Sequence, residues 1–432
     1  MPYDFLLTNL DVGGSVPTFA TAIRRLRARG HSVRVLIDDS ARSEMEAAGA
    51  IFVPWTTAPN KRDHSLAQDP VKDWEPGEPG GDLLRVLDHI TIGPAAAYAA
   101  DTLAELRRKP ADAVVSLDLL FGPMIGARAA GVPFVSLATQ ISLFVAIPGV
   151  PPVGPGLLPA KSDADKATAA EVAGWLAAQI DERLLVLNAA RTRFGLPTLT
   201  EGLAHPREAD LMLIATSSAF DFPAESLPDR MAYVGPLLDP PTWAADWTSP
   251  WSSDHLRPLI LIAMSSTFQN QTATIQALLT AASGLPVRVL VTLGPGLDGA
   301  AFDVPGNAVV VASAPHDQVM RQAAVVVTHC GHGTVMRALA NGCPMLCLPM
   351  GRDQNDNAAR VAARGAGIRL TRDADSADLR AALLTLLEDP SFARSAKALG
   401  EAVAHAEHPD ALVESVERLV YHFRNGASAM ST

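Results

Sequence analysis

Between Ala323 and Gln354 the chain sets a histidine and a run of small residues where a buried strand must give way to a helix. The β-branched run Val325-Val326-Val327-Thr328 ends at His329, and Cys330-Gly331-His332-Gly333-Thr334 opens the apolar helical stretch Val335 to Ala340. The first N–H groups of a helix have no partner within it, and together with the helix dipole they attract an anion. His329 adds a hydrogen bond or a positive charge, and the Thr334 hydroxyl adds a donor. A diphosphate suits such a loop. A glycine-containing turn also occurs wherever a parallel α/β chain reverses, so its neighbours decide the reading. Ala314-Pro315-His316 precedes it, and Gly351-Arg352-Asp353-Gln354 with Asn357 follows.

In this order, over about forty residues, these segments resemble the donor-binding signature of the GT-B-fold, nucleotide-sugar-dependent glycosyltransferases. That family includes plant UDP-glycosyltransferases and bacterial antibiotic (macrolide-type) glycosyltransferases. The resemblance implies an α/β GT-B architecture, with two Rossmann-like domains facing each other across a cleft. It implies that His329, Gly331, His332, Gly333 and Thr334 hold the diphosphate, with Ser266 nearby, and that Asp353 and Gln354 hydrogen-bond sugar hydroxyls. Ser313 and His316 lie where plant enzymes stack a tryptophan on uracil. Arg337 replaces a plant glutamate that accepts from the ribose hydroxyls, which tilts the expected donor from UDP toward dTDP. No metal and no further cofactor is implied, since His329 and the helix N-terminus can offset the leaving diphosphate. The expected reaction is inverting transfer of a hexose or deoxyhexose from a dTDP- or UDP-sugar to a small hydrophobic natural-product acceptor. An epimerase or hydrolase of nucleotide sugars, and a non-catalytic binding or partner protein on the same fold, are the alternatives.

Inverting transfer to a hydroxyl needs a base. Relatives commonly use a histidine in the first loop, but Asp11-Val12-Gly13-Gly14-Ser15-Val16 puts Ser15 at that place. Asp118, after Val114-Val115-Ser116-Leu117, matches the aspartate that usually orients the histidine, and as an unpaired carboxylate in a cleft it can itself act as base. Asp11 competes with it. Both are favoured over Ser15, whose hydroxyl is a weak base; either aspartate can equally cap a turn. His64 and His89 are further candidates. Gly14, His64 and Phe144 are expected on the acceptor side, with the loops around Trp55 to Trp74 and Val145 to Leu158.

The elements around these residues alternate. Strands at Phe5–Leu7, His31–Leu36, Ile51–Val53, Ala113–Val115 and Phe134–Leu137 interleave with helices, and the pattern repeats after Leu259, implying parallel sheets. In the helical stretch Asp163 to Phe194, the stripe Ala169, Val172, Leu176, Ile180 and Leu184 reads as core. Residues 236–258, with five prolines and three tryptophans, read as a linker. The division is 1–235, an acceptor-binding domain; 259–408, a nucleotide-sugar-binding domain; and 409–432, a helix that in relatives packs back on the first domain. At 432 residues and 48% apolar content, two domains can each bury a core. A net charge of −11 argues against a nucleic-acid surface. The three cysteines match no zinc spacing and suit reduced thiols. No leader is legible after Met1, and the apolar runs are too short for an integral membrane segment, so a cytoplasmic location is expected. Asp38-Asp39 and Asp373 to Asp375 read as solvated acidic pairs.

Overall fold

The computed structural model describes residues 2–75, 80–239, 247–252, 256–265, 267–294, 297, 299 and 302–426. Ser266 and much of the 236–258 linker (240–246 and 253–255) lie outside them.

The first half runs β1 (Asp4–Thr8), α1 (Ser15–Ala28), β2 (Ser32–Ile37), α2 (Arg42–Ala47), β3 (Ile51–Pro54), α3 (Gly81–Val86), α4 (Ala95–Arg108), β4 (Ala113–Leu117), α5 (Phe121–Ala130), β5 (Phe134–Ala138), α6 (Asp163–Asp181), α7 (Leu184–Arg193), α8 (Ala204–Arg207), β6 (Leu211–Ile214) and β7 (Met231–Tyr233). The second runs β8 (Leu259–Ala263), α9 (Thr272–Ala282), β9 (Arg288–Thr292), β10 (Ala308–Val311), α10 (His316–Met320), β11 (Ala323–Thr328), α11 (His332–Ala340), β12 (Met345–Cys347), α12 (Gln354–Ala363), β13 (Gly367–Arg369), α13 (Ser376–Glu388), α14 (Pro390–Ala406) and α15 (Ala411–Arg424).

Each half has one sheet. The orders are β3-β2-β1-β4-β5-β6-β7 and β10-β9-β8-β11-β12-β13, and every strand pairing among the described residues is parallel. Helices cover both faces, so the strands read as continuous apolar runs: all five residues of β4 and all five of β8 are buried. In both sheets the order reverses beside the first strand, between β1 and β4 and between β8 and β11. A crevice opens at such a switch point, beyond the carboxyl ends of the strands. The loops after β1, β4, β8 and β11 are therefore the ones placed to do chemistry.

Two close helix approaches set these loops. Gly122 and Gly126 let α5 press on α4: a Cβ on Gly126 would sit 2.7 Å from the Ala99 carbonyl, and one on Gly122 would collide with the Ala95 carbonyl. This anchors the start of α5, just after Asp118. Gly400 of α14 likewise leaves no room for a Cβ against the Leu339 carbonyl of α11. The last helix returns to the first half, where Leu412, Val413, Val416, Leu419 and Val420 join the core of Phe19, Ile23 and Leu26. Fully burying such side chains contributes about 1.5–3 kcal/mol each. No helix among the described residues is long and apolar enough to cross a membrane.

Two expectations change here. Of the Ala169–Leu184 stripe only Leu176 and Ile180 are buried; the middle of α6, Glu171 to Leu176, edges the cavity between the two sheets, so the apolar face is turned to a cleft and not wholly to core. Asp38 is buried and not solvated. It accepts from the N–H groups of Asp11 (2.7 Å) and Lys61 (2.8 Å), and burial pushes its carboxyl up to about 6.

Replacing Gly122 by alanine forces α5 off α4. A loss of about 1–3 kcal/mol is expected, as for overpacking elsewhere, read as a lower urea midpoint. An unchanged midpoint would contradict the close approach.

Candidate functional site

Between the two sheets lies a cavity of about 1460 Å³ whose walls come from both halves. Ser313, His316, His329, Gly331, His332, Gly333, Thr334, Asp353 and Gln354 all line it, as do Gly14 and Ser15 from across the cleft.

The loop between β11 and α11 turns sharply. Cys330, buried, takes φ +66°, a left-handed conformation that costs a non-glycine residue about 1–3 kcal/mol and persists only where surroundings enforce it. The enforcement is visible. The Cys330 N–H donates to Thr328 Oγ1 (3.1 Å), and its carbonyl accepts from Asn357 Nδ2 (3.0 Å). The same Asn357 nitrogen donates to Asp353 Oδ2 at 2.7 Å, so one amide ties the β11–α11 loop to the loop after β12. Helix α11 begins at this turn with Gly331 as its cap and no side chain bonded to its first N–H groups. The helix dipole adds about half a positive charge there.

Side-chain cations add little. Nine carboxylates (Glu44, Asp73, Glu75, Asp82, Glu171, Asp239, Asp317, Asp353 and Asp356) share the walls with four arginines. Three of those arginines are paired: Arg24 with Asp239 at 2.5 Å, Arg352 with Asp73 at 2.7 Å, and Arg337 with Asp317. An anion held here therefore relies on backbone N–H groups. The expectation of a positively charged His329 is corrected too. Burial, then the nearby Arg352 charge, lowers His329 to about 3, and burial lowers His316 and His332 to about 4. All three are neutral at pH 7. His329 still offers a buried Nδ1 with no partner, and its ring packs over the Gly331 turn, where a Cβ would fall 2.5 Å from Nε2. His316 Nε2 meets Thr292 Oγ1 at 3.1 Å, and His332 Nε2 meets Thr216 Oγ1 at 2.7 Å. The latter imidazole is thus a contact to the first half, leaving its backbone at the cavity.

The first half is sorted sharply. Ser15 Oγ donates to the Leu10 carbonyl at 2.7 Å, which shapes the loop and disqualifies it as a base. Asp11 turns away from the cavity: Oδ2 accepts from Ser40 Oγ (2.7 Å) and faces Lys61 Nζ (3.6 Å) and His64 Nδ1 (3.2 Å). His64 goes with it and is half-exposed outside the cavity. Phe144 is core, edge-on to Phe121 at 5.3 Å, and His89 is exposed on the turn after α3. Trp55 is buried, with Nε1 donating to the Asn9 carbonyl at 3.1 Å. The loops expected on the acceptor side do reach the cavity, through Val71 and Asp73 of Trp55 to Trp74 and Val153, Gly154 and Pro155 of Val145 to Leu158, beside Leu83, Val86, Ile90, Leu143, Val172 and the partly exposed Trp175. No spacing rule marks the last six, which converge from three further segments.

Asp118 stands between Leu117 and Leu119, both of which line the cavity. Its Oδ1 is buried with no partner. Burial first, and repulsion from Asp353 across the cleft, raise its carboxyl to about 7, although N–H groups of its own turn pull the other way. Burial raises Asp353 as well. A carboxyl poised near neutrality can accept a proton from a bound hydroxyl. Gln354, by contrast, is committed: its Oε1 accepts from the N–H groups of Met350 (2.7 Å) and Gly351 (3.2 Å), and its Nε2 donates to Gln269 Oε1 (3.0 Å).

In the ligand-free protein, imidazole resonances of His316, His329 and His332 are expected to show no titration above pH 5 by NMR. A midpoint above 6 for His329 would contradict its burial as a neutral base.

Comparison with known proteins places this geometry. Residues 276–419 match the family described as erythromycin biosynthesis protein CIII-like, C-terminal domain. The chain is 27% identical over 420 residues to 4'-demethylrebeccamycin synthase of Lentzea aerocolonigenes, covering 94% of this chain and 96% of that protein. In fold it resembles the glycosyltransferase of kitacinnamycin (TM-score 0.75, 21% identity, 97% and 99% of the two chains) and the glycosyltransferase VinC solved in complex with dTDP (TM-score 0.66, 18% identity, 97% and 100%). With two facing parallel sheets the chain has the GT-B fold of these glycosyltransferases, and its residues 276–419, which hold most of the signature between β10 and α12, match the antibiotic-biosynthesis family.

Proposed function

We propose that this glycosyltransferase moves a hexose or deoxyhexose from a dTDP- or UDP-sugar to a hydroxyl of a small hydrophobic natural product, with inversion at C1. The observation that carries the reading is that one cavity is bordered by the uncapped start of α11 on one side and, on the other, by Leu117 and Leu119, which flank the poised Asp118. The diphosphate sits at the N–H groups of Gly331, His332 and Gly333, with the Thr334 hydroxyl beside them and His329 as a neutral hydrogen-bond partner. Asp353 is left as the sugar-reading carboxylate, since the Gln354 amide is already bonded. The acceptor lies against Leu83, Val86, Val172 and Trp175.

In the reaction the acceptor oxygen bonds to C1 as its proton passes to Asp118. The C1–O bond to phosphate breaks, and its electron pair stays on the departing diphosphate. The growing charge meets the α11 dipole. Asp118 takes the role of base over Ser15 and Asp11 because it alone of the three combines a place at the cavity edge with an unpartnered oxygen. Arg337 argues less for thymidine than its identity suggests, because the Asp317 carboxylate it holds restores an acceptor at that corner of the cavity. Both nucleotides therefore remain in the proposal, supported by the dTDP in the VinC structure.

Asp118→Asn is expected to lower transfer by about 10²–10⁴-fold, the usual contribution of a general base, while leaving dTDP or UDP binding intact. A protonated Asp118 cannot accept, so kcat/KM should rise with pH through an inflection near its value of about 7, and the variant should lose that inflection. Full activity in Asp118→Asn, or no transfer by the wild-type protein from any dTDP- or UDP-sugar to a broad aglycone panel, would refute the proposal.

A further inference from the structure

The loop carrying Asp353 is held from the opposite half of the molecule. Asp73, in the segment before α3, has a side chain only 5% exposed. Its Oδ2 accepts from Gln269 Nε2 at 2.7 Å and from Arg352 Nε at 2.7 Å. Gln269 Oε1 in turn accepts from Gln354 Nε2, and Gln354 Oε1 accepts from the N–H groups of Met350 and Gly351. Nearby, Asp82 Oδ2 accepts from the Arg352 N–H at 3.1 Å, and Arg352 itself takes φ +55°.

This chain of bonds has a direction. An ionised carboxylate only accepts, so Gln269 must turn its NH₂ toward Asp73 and its oxygen toward Gln354. Gln354 must then turn its NH₂ toward Gln269, which leaves its oxygen facing the two N–H groups of the loop. If position 73 could donate, both amides could flip, and the Gln354 NH₂ would face those N–H groups instead.

We propose that Asp73 is a positioning residue for the donor sugar: from the acceptor half, through Gln269 and Gln354, it fixes the loop that presents Asp353. The proposal rests on the nucleotide-sugar reading above. It also accounts for a glutamine of the signature whose amide is spent on the protein.

The test compares binding of UDP-glucose and dTDP-glucose with that of UDP and dTDP by calorimetry, in wild type, Asp73→Asn, Gln354→Ala and the double variant. The expected result is a roughly tenfold loss for the sugar nucleotides in each single variant, with the bare diphosphates unaffected. The double variant should be no weaker than Gln354→Ala alone, because both changes cut one chain. A general loss of folding would instead weaken both classes of ligand. Wild-type affinity for the sugar nucleotides in Asp73→Asn, equal losses for sugar nucleotides and diphosphates, or additive losses in the double variant would each overturn it. If the wild-type protein bound neither class, the donor reading would fall, and this proposal with it.

Discussion

One amide underlies the wall of the cavity formed by the second sheet's loops. Asn357 Nδ2 holds the carbonyl of Cys330 and the carboxylate of Asp353 together. The first bond stabilises the left-handed turn that lets α11 start with its N–H groups facing the cleft. The second keeps a buried carboxylate beside them. Without that brace the turn would have to relax toward ordinary backbone angles, and the helix start and Asp353 would no longer face the same space. The charge balance follows. Nine carboxylates and mostly paired arginines cannot attract an anion by net charge, so backbone dipoles fixed in place must do so, and they cost no reorganisation when charge develops.

The same crowding of acids tunes the other side. Asp118 and Asp353 come from different sheets; burial raises the proton affinity of both, and the Asp353 charge adds to the rise at Asp118. A carboxylate with a pKa near 7 is a far better base than one near 4 at the same pH. In the proposed reaction this environment lets Asp118 do what a first-loop histidine does in relatives. Ser15, in its place, serves the backbone by bonding the Leu10 carbonyl.

The alternation of strands and helices, both sheets and the cavity-lining loops of the second half were legible in the sequence because each depends on residues close together in the chain. His329 to Thr334 and Gly351 to Asn357 flank single strands, so their spacing carries their geometry. Orientation was not legible. Asp11 and Asp118 both follow a first-sheet strand, and only the fold shows that Asp11 faces Lys61 and His64 while Asp118 keeps a buried, unpartnered oxygen beside the cleft. The helical period of α6 correctly marked an apolar face at Val172 and Leu176 but could not say whether core or cleft covers it. Histidine charge was misjudged for a related reason: burial, which lowers His329 to about 3, is a property of the packed whole. The links from Asp73 to Gln269 and Arg352 join positions 196 and 279 residues apart, beyond the reach of any local pattern.

The most direct test of the account is a crystal structure with dTDP or UDP bound. The diphosphate oxygens should lie within hydrogen-bond distance of backbone N–H groups between Gly331 and Thr334, next to the His329 ring and with Asn357 still bonded to Cys330. A nucleotide whose phosphates instead rest on arginine side chains elsewhere in the cavity, with the start of α11 unoccupied, would contradict it.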